Sequence, residues 1–178
     1  MFVDIPYYNI FPIKKFALEG WKLDKTHGLP HWQRVERNGI LLSLKEYKGN
    51  LYFRKDINIK VIRLFAYLHD KCRLSNHGDW KHGERAADML YVIRDTLLND
   101  IDDEEFYLLE RACRYHTSMH KTGNITIDTC FDADRLDLGR VGIKPHPMKM
   151  ATKMGKFYAL FPDEFEKMAQ RQIFHQLH

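Results

Sequence analysis

Residues 65–73 read Phe-Ala-Tyr-Leu-His-Asp-Lys-Cys-Arg, an apolar run that ends in two adjacent side chains able to bind a metal. Apolar residues recur here at helical spacing, which predicts a buried helix from about residue 56 to residue 72. Its last turn would carry His69 and Asp70 beside an apolar face, where unpaired polar groups are costly. A metal ion suits both side chains. The alternative is a helix end with a solvated Asp70 and a His69 bonded to a backbone carbonyl.

The remaining chain is read as further helices around the same core. A helix beginning at about Pro30 presents His31 on its buried face, with Glu36 and Lys45 assigned to the solvent side. After a polar loop over residues 73–81, a helix begins at His82. A capping box formed by Asp102 and Glu105 opens another helix, on which the apolar stripe ends at His116. A helix over residues 125–138 carries Asp134, and an amphipathic helix through Phe165, Met168 and Ile173 ends the chain. The prediction is a single all-α domain.

Composition excludes several classes of protein. The 178 residues are 44% hydrophobic and 29% charged, and no run approaches the roughly 18 apolar residues of a membrane span. We therefore expect a soluble protein with no membrane partner. The start of the chain lacks a secretory signal pattern, and three cysteines without a C-x-x-C pair favour reduced thiols, which together predict a cytoplasmic location. The net charge of +4 is too small to demand nucleic acid, and no sequence-specific DNA-binding motif is present.

Six metal-capable side chains end or line the predicted apolar faces. They are His31, His69, Asp70, His82, His116 and Asp134. Side chains that face inward from several helices of a bundle converge, so these residues predict a central metal site. Nitrogen and oxygen donors without a thiolate suit a divalent transition metal such as Fe, Mn, Co, Ni or Zn. An adjacent His and Asp would also allow the carboxylate to bridge two ions.

The order of these residues and their local contexts resemble the HD superfamily of metal-dependent phosphohydrolases. The matching segments are His-Trp-Gln-Arg-Val at 31–35, His-Gly at 82–83, Tyr-His-Thr at 115–117 and Ala-Asp-Arg-Leu-Asp at 133–137. The resemblance covers about residues 27–143, which divides the chain into an irregular or short-helix lead-in (1–26), an HD-type helical bundle (27–143) and a helical tail (144–178). The ordered set is similar to the binuclear subgroup that includes bacterial dinucleoside tetraphosphate hydrolases.

The resemblance implies how the six residues share their work. His31, His69, Asp70 and Asp134 would form the core site, and Asp70 would bridge to a second ion held by His82 and His116. The implied activity is hydrolysis of a small phosphorylated substrate, most simply a nucleotide, by a metal-activated water, with Asp70 and His69 as the catalytic pair. A mononuclear nucleotidase-like site would need only the four residues of the core site. Two further alternatives are a di-iron oxygenase of the same superfamily and a nucleotide-binding helical module without catalysis. Monomer and oligomer are both compatible with the sequence.

Phosphate oxygens also need cations. The candidates nearest to the motifs in sequence are Arg34, Lys71, Arg73 and Arg135. Lys71 departs from the family pattern, in which a small or apolar residue often follows the His-Asp pair, and this indicates a more basic pocket. Arg140 is predicted to form a structural ion pair with Asp137. The loop histidines His27 and His77 are expected to be solvated, although their position near the motifs would also allow contact with substrate.

Overall fold

The computed structural model describes residues 5–172, over which the chain folds into helices and one hairpin. Its elements, in chain order, are α1 (Phe11–Leu18), α2 (Leu29–Leu42), β1 (Leu44–Tyr47), β2 (Asn50–Phe53), α3 (Ile59–Leu68), α4 (His82–Val92), α5 (Asp103–Tyr115), α6 (Ile125–Arg135), α7 (Lys153–Leu160) and α8 (Pro162–Gln172). Two short 3₁₀ helices, Leu138–Val141 and Pro147–Lys149, connect α6 to α7. The predicted all-α domain is confirmed, with the hairpin as its only sheet among these residues.

The central helices α2, α3, α5 and α6 pack against one another and enclose the core. Helix α3 contacts α1, α2, α5 and α6, and α4 packs on α5. Large side chains such as Trp32, Phe65, Tyr67 and Phe131 are fully buried between them. Burial of each such side chain contributes about 1.5–3 kcal/mol. No helix in residues 5–172 has both the length and the apolar character that a membrane span requires.

Side-chain caps mark the start of several helices. Asp102 accepts a hydrogen bond from the Glu105 amide, and the Glu105 side chain accepts one from the Asp102 amide, which confirms the predicted capping box. The Asn58 and Asn124 side chains cap α3 and α6 by accepting hydrogen bonds from amides of the first turn, without a reciprocal bond. The predicted helix over 56–72 is shorter than expected because the chain leaves α3 in a turn, with the Lys71 amide bonded to the Leu68 carbonyl. His69 and Asp70 therefore lie in the turn directly after α3.

Two predictions about the solvent side of α2 were wrong. Lys45 is exposed, but it belongs to β1 of a hairpin that pairs Leu44 with Phe53. The hairpin turns at Lys48 and Gly49, both with positive φ (51° and 75°), as a two-residue turn between antiparallel strands requires. Glu36 is buried, with 1% of its surface exposed, because α3 supplies partners for its charge. In the tail, Phe165 is buried and Met168 is partly buried in α8, whereas Ile173 lies outside the described residues.

Candidate metal centre

The ends of five helices, α2 to α6, place the predicted ligands together. His31 lies in the first turn of α2, His69 and Asp70 follow α3, and the remaining three lie at the start of α4, just after α5 and near the end of α6. Ligand atoms of all six fall into three overlapping groups, each with its atoms within 4.8 Å of one another. The groups are His31 with His69 and Asp70, His69 with His116 and Asp134, and Asp70 with His82 and His116. Several buried groups that could hold a metal ion therefore lie side by side.

Glycine permits the close approach of α4 to α5 at this site. A Cβ atom on Gly83 would lie 2.6 Å from the Cys113 carbonyl oxygen and 3.2 Å from the His116 ring. Only a residue without a side chain fits there. This contact brings His82 and His116 together, with their Nε2 atoms 2.8 Å apart.

The four imidazoles share one orientation. The Nδ1 atoms of His69, His82 and His116 face the backbone carbonyls of Phe65, Asp79 and Cys113, and the Nδ1 atom of His31 lies 2.7 Å from Asp137 Oδ2. Carbonyl and carboxylate oxygens only accept hydrogen bonds, so Nδ1 carries the proton in each of these four contacts and the Nε2 atom faces the cluster. The Nε2 atoms of His31 and His69 are 3.2 Å apart, which is close enough for both to bind one cation.

The two carboxylate oxygens of Asp70 face different histidines. Its Oδ2 lies 3.6 Å from His31 Nε2 and 3.8 Å from His69 Nε2. Its Oδ1 lies 3.0 Å from His82 Nε2. A carboxylate placed between two groups of imidazoles in this way has the geometry of a bridging ligand.

Two buried carboxylate oxygens at the centre make no hydrogen bond within the part of the chain that the structure describes. Asp70 Oδ2 and Asp134 Oδ1 are buried without a hydrogen-bond partner among the described residues, and so is His27 Nδ1. Buried polar atoms are nearly always paired, so carboxylate oxygens that make no hydrogen bond and lie beside imidazole nitrogens could hold a metal ion. The donor set fits a divalent transition metal of the kind that the sequence predicts.

The charges of the cluster also favour a cation. Burial lowers the pKa of His69 to about 3, and burial together with His82 lowers the pKa of His116 to about 4, so both rings are neutral. Burial opposes ionisation of Asp70 and Asp134, but the imidazoles around Asp70, and Arg140 beside Asp134, hold both pKa values below the usual range. Burial lowers the pKa of His82, but the bond to Asp70 outweighs this and raises it.

Of the predicted phosphate-binding cations, the structure brings one to the cluster. The Arg73 Nη1 atom lies 3.6 Å from Asp70 Oδ1, while Nε and Nη2 donate to the carbonyls of Ser75 and His77. Arg34 is bound by both oxygens of Asp137.

The other two predicted cations are held by backbone carbonyls away from the six ligands. The Lys71 ammonium contacts the carbonyls of Ala17 and Glu19 in and after α1. The Arg135 guanidinium donates to the carbonyls of Met119, His120 and Lys149. The more basic pocket that Lys71 indicated is not built from its side chain in this structure.

Three residues have closer relations to the site than the sequence predicted. Arg140 Nη2 lies 3.4 Å from Asp134 Oδ1, and its Nε donates to the Thr26 carbonyl, so it does more than pair with Asp137. The Asp137 carboxylate accepts a hydrogen bond from His31 Nδ1, a role that its position three residues after Asp134 could have indicated. His27 is buried instead of solvated, with Nδ1 3.3 Å from Asp70 Oδ2, because the 73–81 loop covers it through the Asn76 carbonyl.

Comparison with known proteins gives no relative for this chain. No protein-family model, no curated protein and no solved structure matches it. The site is therefore interpreted from its own geometry.

Proposed function

We propose that this chain is a metal-dependent phosphohydrolase of the HD type, which cleaves a phosphate ester or anhydride of a small molecule, a nucleotide in the simplest case. The observation that carries the proposal is the bridging position of Asp70 between two groups of buried imidazoles. The ordered set of four His and two Asp that resembles the HD superfamily supports the same function.

The residues divide into two candidate metal positions. His31, His69, Asp70 and Asp134 would hold one divalent transition ion, and His82 and His116 would hold a second that shares Asp70. When bound, such ions lower the pKa of a water molecule and neutralise charge on a phosphoryl group. Asp70 and His69 are the catalytic candidates because both reach the reacting centre from the turn after α3.

Charge on the substrate is met by two fixed guanidinium groups. Arg73 and Arg140 each have at least one nitrogen bonded to a backbone carbonyl and another directed at a carboxylate of the cluster. Guanidinium groups suit phosphate because their donors match its oxygens. In the hydrolysis, the oxygen of water bonds to phosphorus, the bond to the leaving oxygen breaks, and a proton from the water passes to the leaving group.

The test combines metal content with phosphate release. Protein purified without chelators should contain about two transition-metal ions per chain by elemental analysis, and His82→Ala should contain about one. The matched control is His120→Ala, which removes an exposed histidine outside the cluster. Asp70→Asn should lower phosphate release by more than about 100-fold, because losing even an outer partner of a metal ligand costs about 10- to 100-fold.

Other results would contradict the proposal in recognisable ways. Unchanged phosphate release in Asp70→Asn would exclude the assigned site. Iron content with oxygen consumption and without phosphate release would favour the oxygenase alternative, and a nucleotide recovered intact from metal-loaded protein would favour a binding module. One ion per chain that is indifferent to His82→Ala would leave a mononuclear enzyme.

A further inference from the structure

A cavity of about 340 Å³ opens directly onto the candidate metal centre. Four of the six metal-capable residues line it, namely Asp70, His82, His116 and Asp134. Pockets for small ligands begin at about 300 Å³. The cavity is therefore large enough for a small phosphorylated molecule whose phosphate reaches the cluster.

The charged part of the cavity lies close to the metal centre. Arg73 and Arg140 both line the cavity, and the nitrogens that they direct at Asp70 and Asp134 lie 3.6 Å and 3.4 Å from those carboxylates. Bonds to the Ser75 and Thr26 carbonyls hold the two guanidinium groups in place. An anionic group entering the cavity would meet both cations without a large rearrangement.

Part of the remaining wall is apolar and solvent-facing. Trp80, in the loop before α4, lines the cavity with 84% of its surface exposed. Ile143 and Val141, which follow α6, line the same cavity and are 54% and 39% exposed. Tryptophan is usually well buried, and an exposed indole on the wall of a pocket is suited to covering a ligand.

Resting on the proposed function, we infer that the cavity binds a phosphorylated compound with a flat aromatic group, which stacks on Trp80 while its phosphate meets Arg73 and Arg140. Aromatic bases stack on such side chains regardless of their hydrogen-bonding edges. Nucleoside phosphates have this combination of groups. Phosphates of open-chain alcohols would satisfy the cations and leave the indole uncovered, so Trp80 is the specificity-determining residue.

The test measures binding separately from hydrolysis. The probes are a phosphonate analogue of adenosine 5′-monophosphate, whose P–C bond resists hydrolysis, and propylphosphonate, which lacks the aromatic ring. Their Kd values are measured by calorimetry on Mn²⁺-loaded full-length protein, for the unmodified chain, Trp80→Ala and Trp80→Phe. Tyr7→Ala is the matched control, because Tyr7 is 93% exposed and is not part of the cavity wall.

Trp80→Ala should weaken binding of the adenosine phosphonate by about 10- to 100-fold, the range for losing one aromatic stacking partner. Propylphosphonate binding should stay within about twofold, and Trp80→Phe should retain most of the affinity because it keeps an aromatic face. Tyr7→Ala should change neither Kd. Equal weakening of both probes, no weakening of either, or no preference for the adenosine compound in the unmodified chain would overturn the inference.

The two proposals fail in different ways. If the Trp80-dependent preference is found but metal-loaded protein releases no phosphate from adenosine 5′-monophosphate or other phosphate esters, the aromatic subsite stands and the hydrolase assignment falls. If phosphate is released and Trp80→Ala leaves both Kd values unchanged, the hydrolase assignment stands and the aromatic subsite is wrong.

Discussion

Helices α2 and α3 bury two polar clusters, which differ in whether their buried polar atoms are hydrogen-bonded to one another. The first is the candidate metal centre. The second, which we call the Glu36 network, consists of Glu36, Arg63 and Tyr67. Every oxygen of Glu36 has a donor, from Arg63 Nε at 2.8 Å on one side and from the Tyr67 hydroxyl on the other. Arg63 also donates to the Tyr8 carbonyl.

The metal centre lacks this internal pairing. Within residues 5–172, Asp70 Oδ2 and Asp134 Oδ1 are buried without a hydrogen bond, and the imidazole Nε2 atoms face one another. A network that satisfies its own atoms holds two helices together, whereas one that leaves acceptors without hydrogen bonds could hold an ion. The comparison favours a structural role for Glu36 and is consistent with the metal-binding role proposed for Asp70, although both are buried acids.

The largest expected effect comes from a substitution that disrupts the Glu36 network. Glu36→Ala leaves the Arg63 guanidinium, which is 8% exposed, without its carboxylate. Removing one partner of a buried ion pair costs about 3–5 kcal/mol. Urea denaturation of the metal-free protein should show this loss in the free energy of unfolding, and metal content should be unchanged.

The control for that prediction is Asp70→Asn, which should do the reverse. It should abolish metal binding while changing the free energy of unfolding of the metal-free protein far less than Glu36→Ala does. A loss below about 1 kcal/mol in Glu36→Ala, the value of a surface ion pair, would show that the Glu36 network is not structural.

The second prediction uses pH to separate the clusters in the metal-free protein. His69 and His116 have pKa values near 3 and 4 in the folded chain, against 6.5 for a free imidazole. Between pH 6.5 and 4.5 the unfolded chain therefore binds more protons, so the free energy of unfolding falls as the pH falls. The raised pKa of His82 acts in the opposite direction. The two rings together should lower the free energy of unfolding by about 4 kcal/mol over this range before the opposing contribution of His82, since one pKa unit corresponds to about 1.4 kcal/mol for each ring.

Urea titrations at several pH values check this slope. The double variant His69→Gln and His116→Gln should flatten it, because the groups that take up protons on unfolding are gone. Glu36→Ala should lower stability and keep the slope, since the Glu36 network contains no imidazole. A slope that survives the double variant would contradict the assignment of neutral, buried rings.

How much of the structure can be predicted from the sequence depends on whether the interactions are local or join distant parts of the chain. The positions of His31, His69, His82 and His116 followed from where apolar stripes begin or end, which is local information. Glu36 was misplaced because periodicity treats a charge as solvated, and its partner Arg63 lies on another helix. The same limit applies to His27, which is buried by contact with a loop far along the chain.

The ion pair of Arg140 with Asp137 was predicted, but the contact of Arg140 with Asp134 and the hairpin were missed, for different reasons. The contact of Arg140 with Asp134 depends on the path of the chain through the 3₁₀ helix after α6, which no periodic pattern encodes. The hairpin turn at Lys48 and Gly49 carried a local signal, a glycine between two short runs of mixed polarity, but helical periodicity extended as far as Lys45 assigned the first of these runs to α2.

The smallest expected effect tests the connection of the metal centre to its surroundings through Asp137. Asp137 Oδ2 accepts a hydrogen bond from His31 Nδ1 at 2.7 Å, and Asp137 Oδ1 accepts one from Arg34 Nε at 2.6 Å. The carboxylate thereby keeps the proton on Nδ1 and turns Nε2 toward the cluster. Asp137→Asn should weaken metal binding by about 10- to 100-fold, measured by competition with a chromogenic chelator. Asp56→Asn, which alters an exposed carboxylate paired with Arg54, should leave metal affinity unchanged. Equal affinities in the two variants would mean that His31 keeps its orientation without Asp137, and the metal centre would then be as self-contained as the Glu36 network.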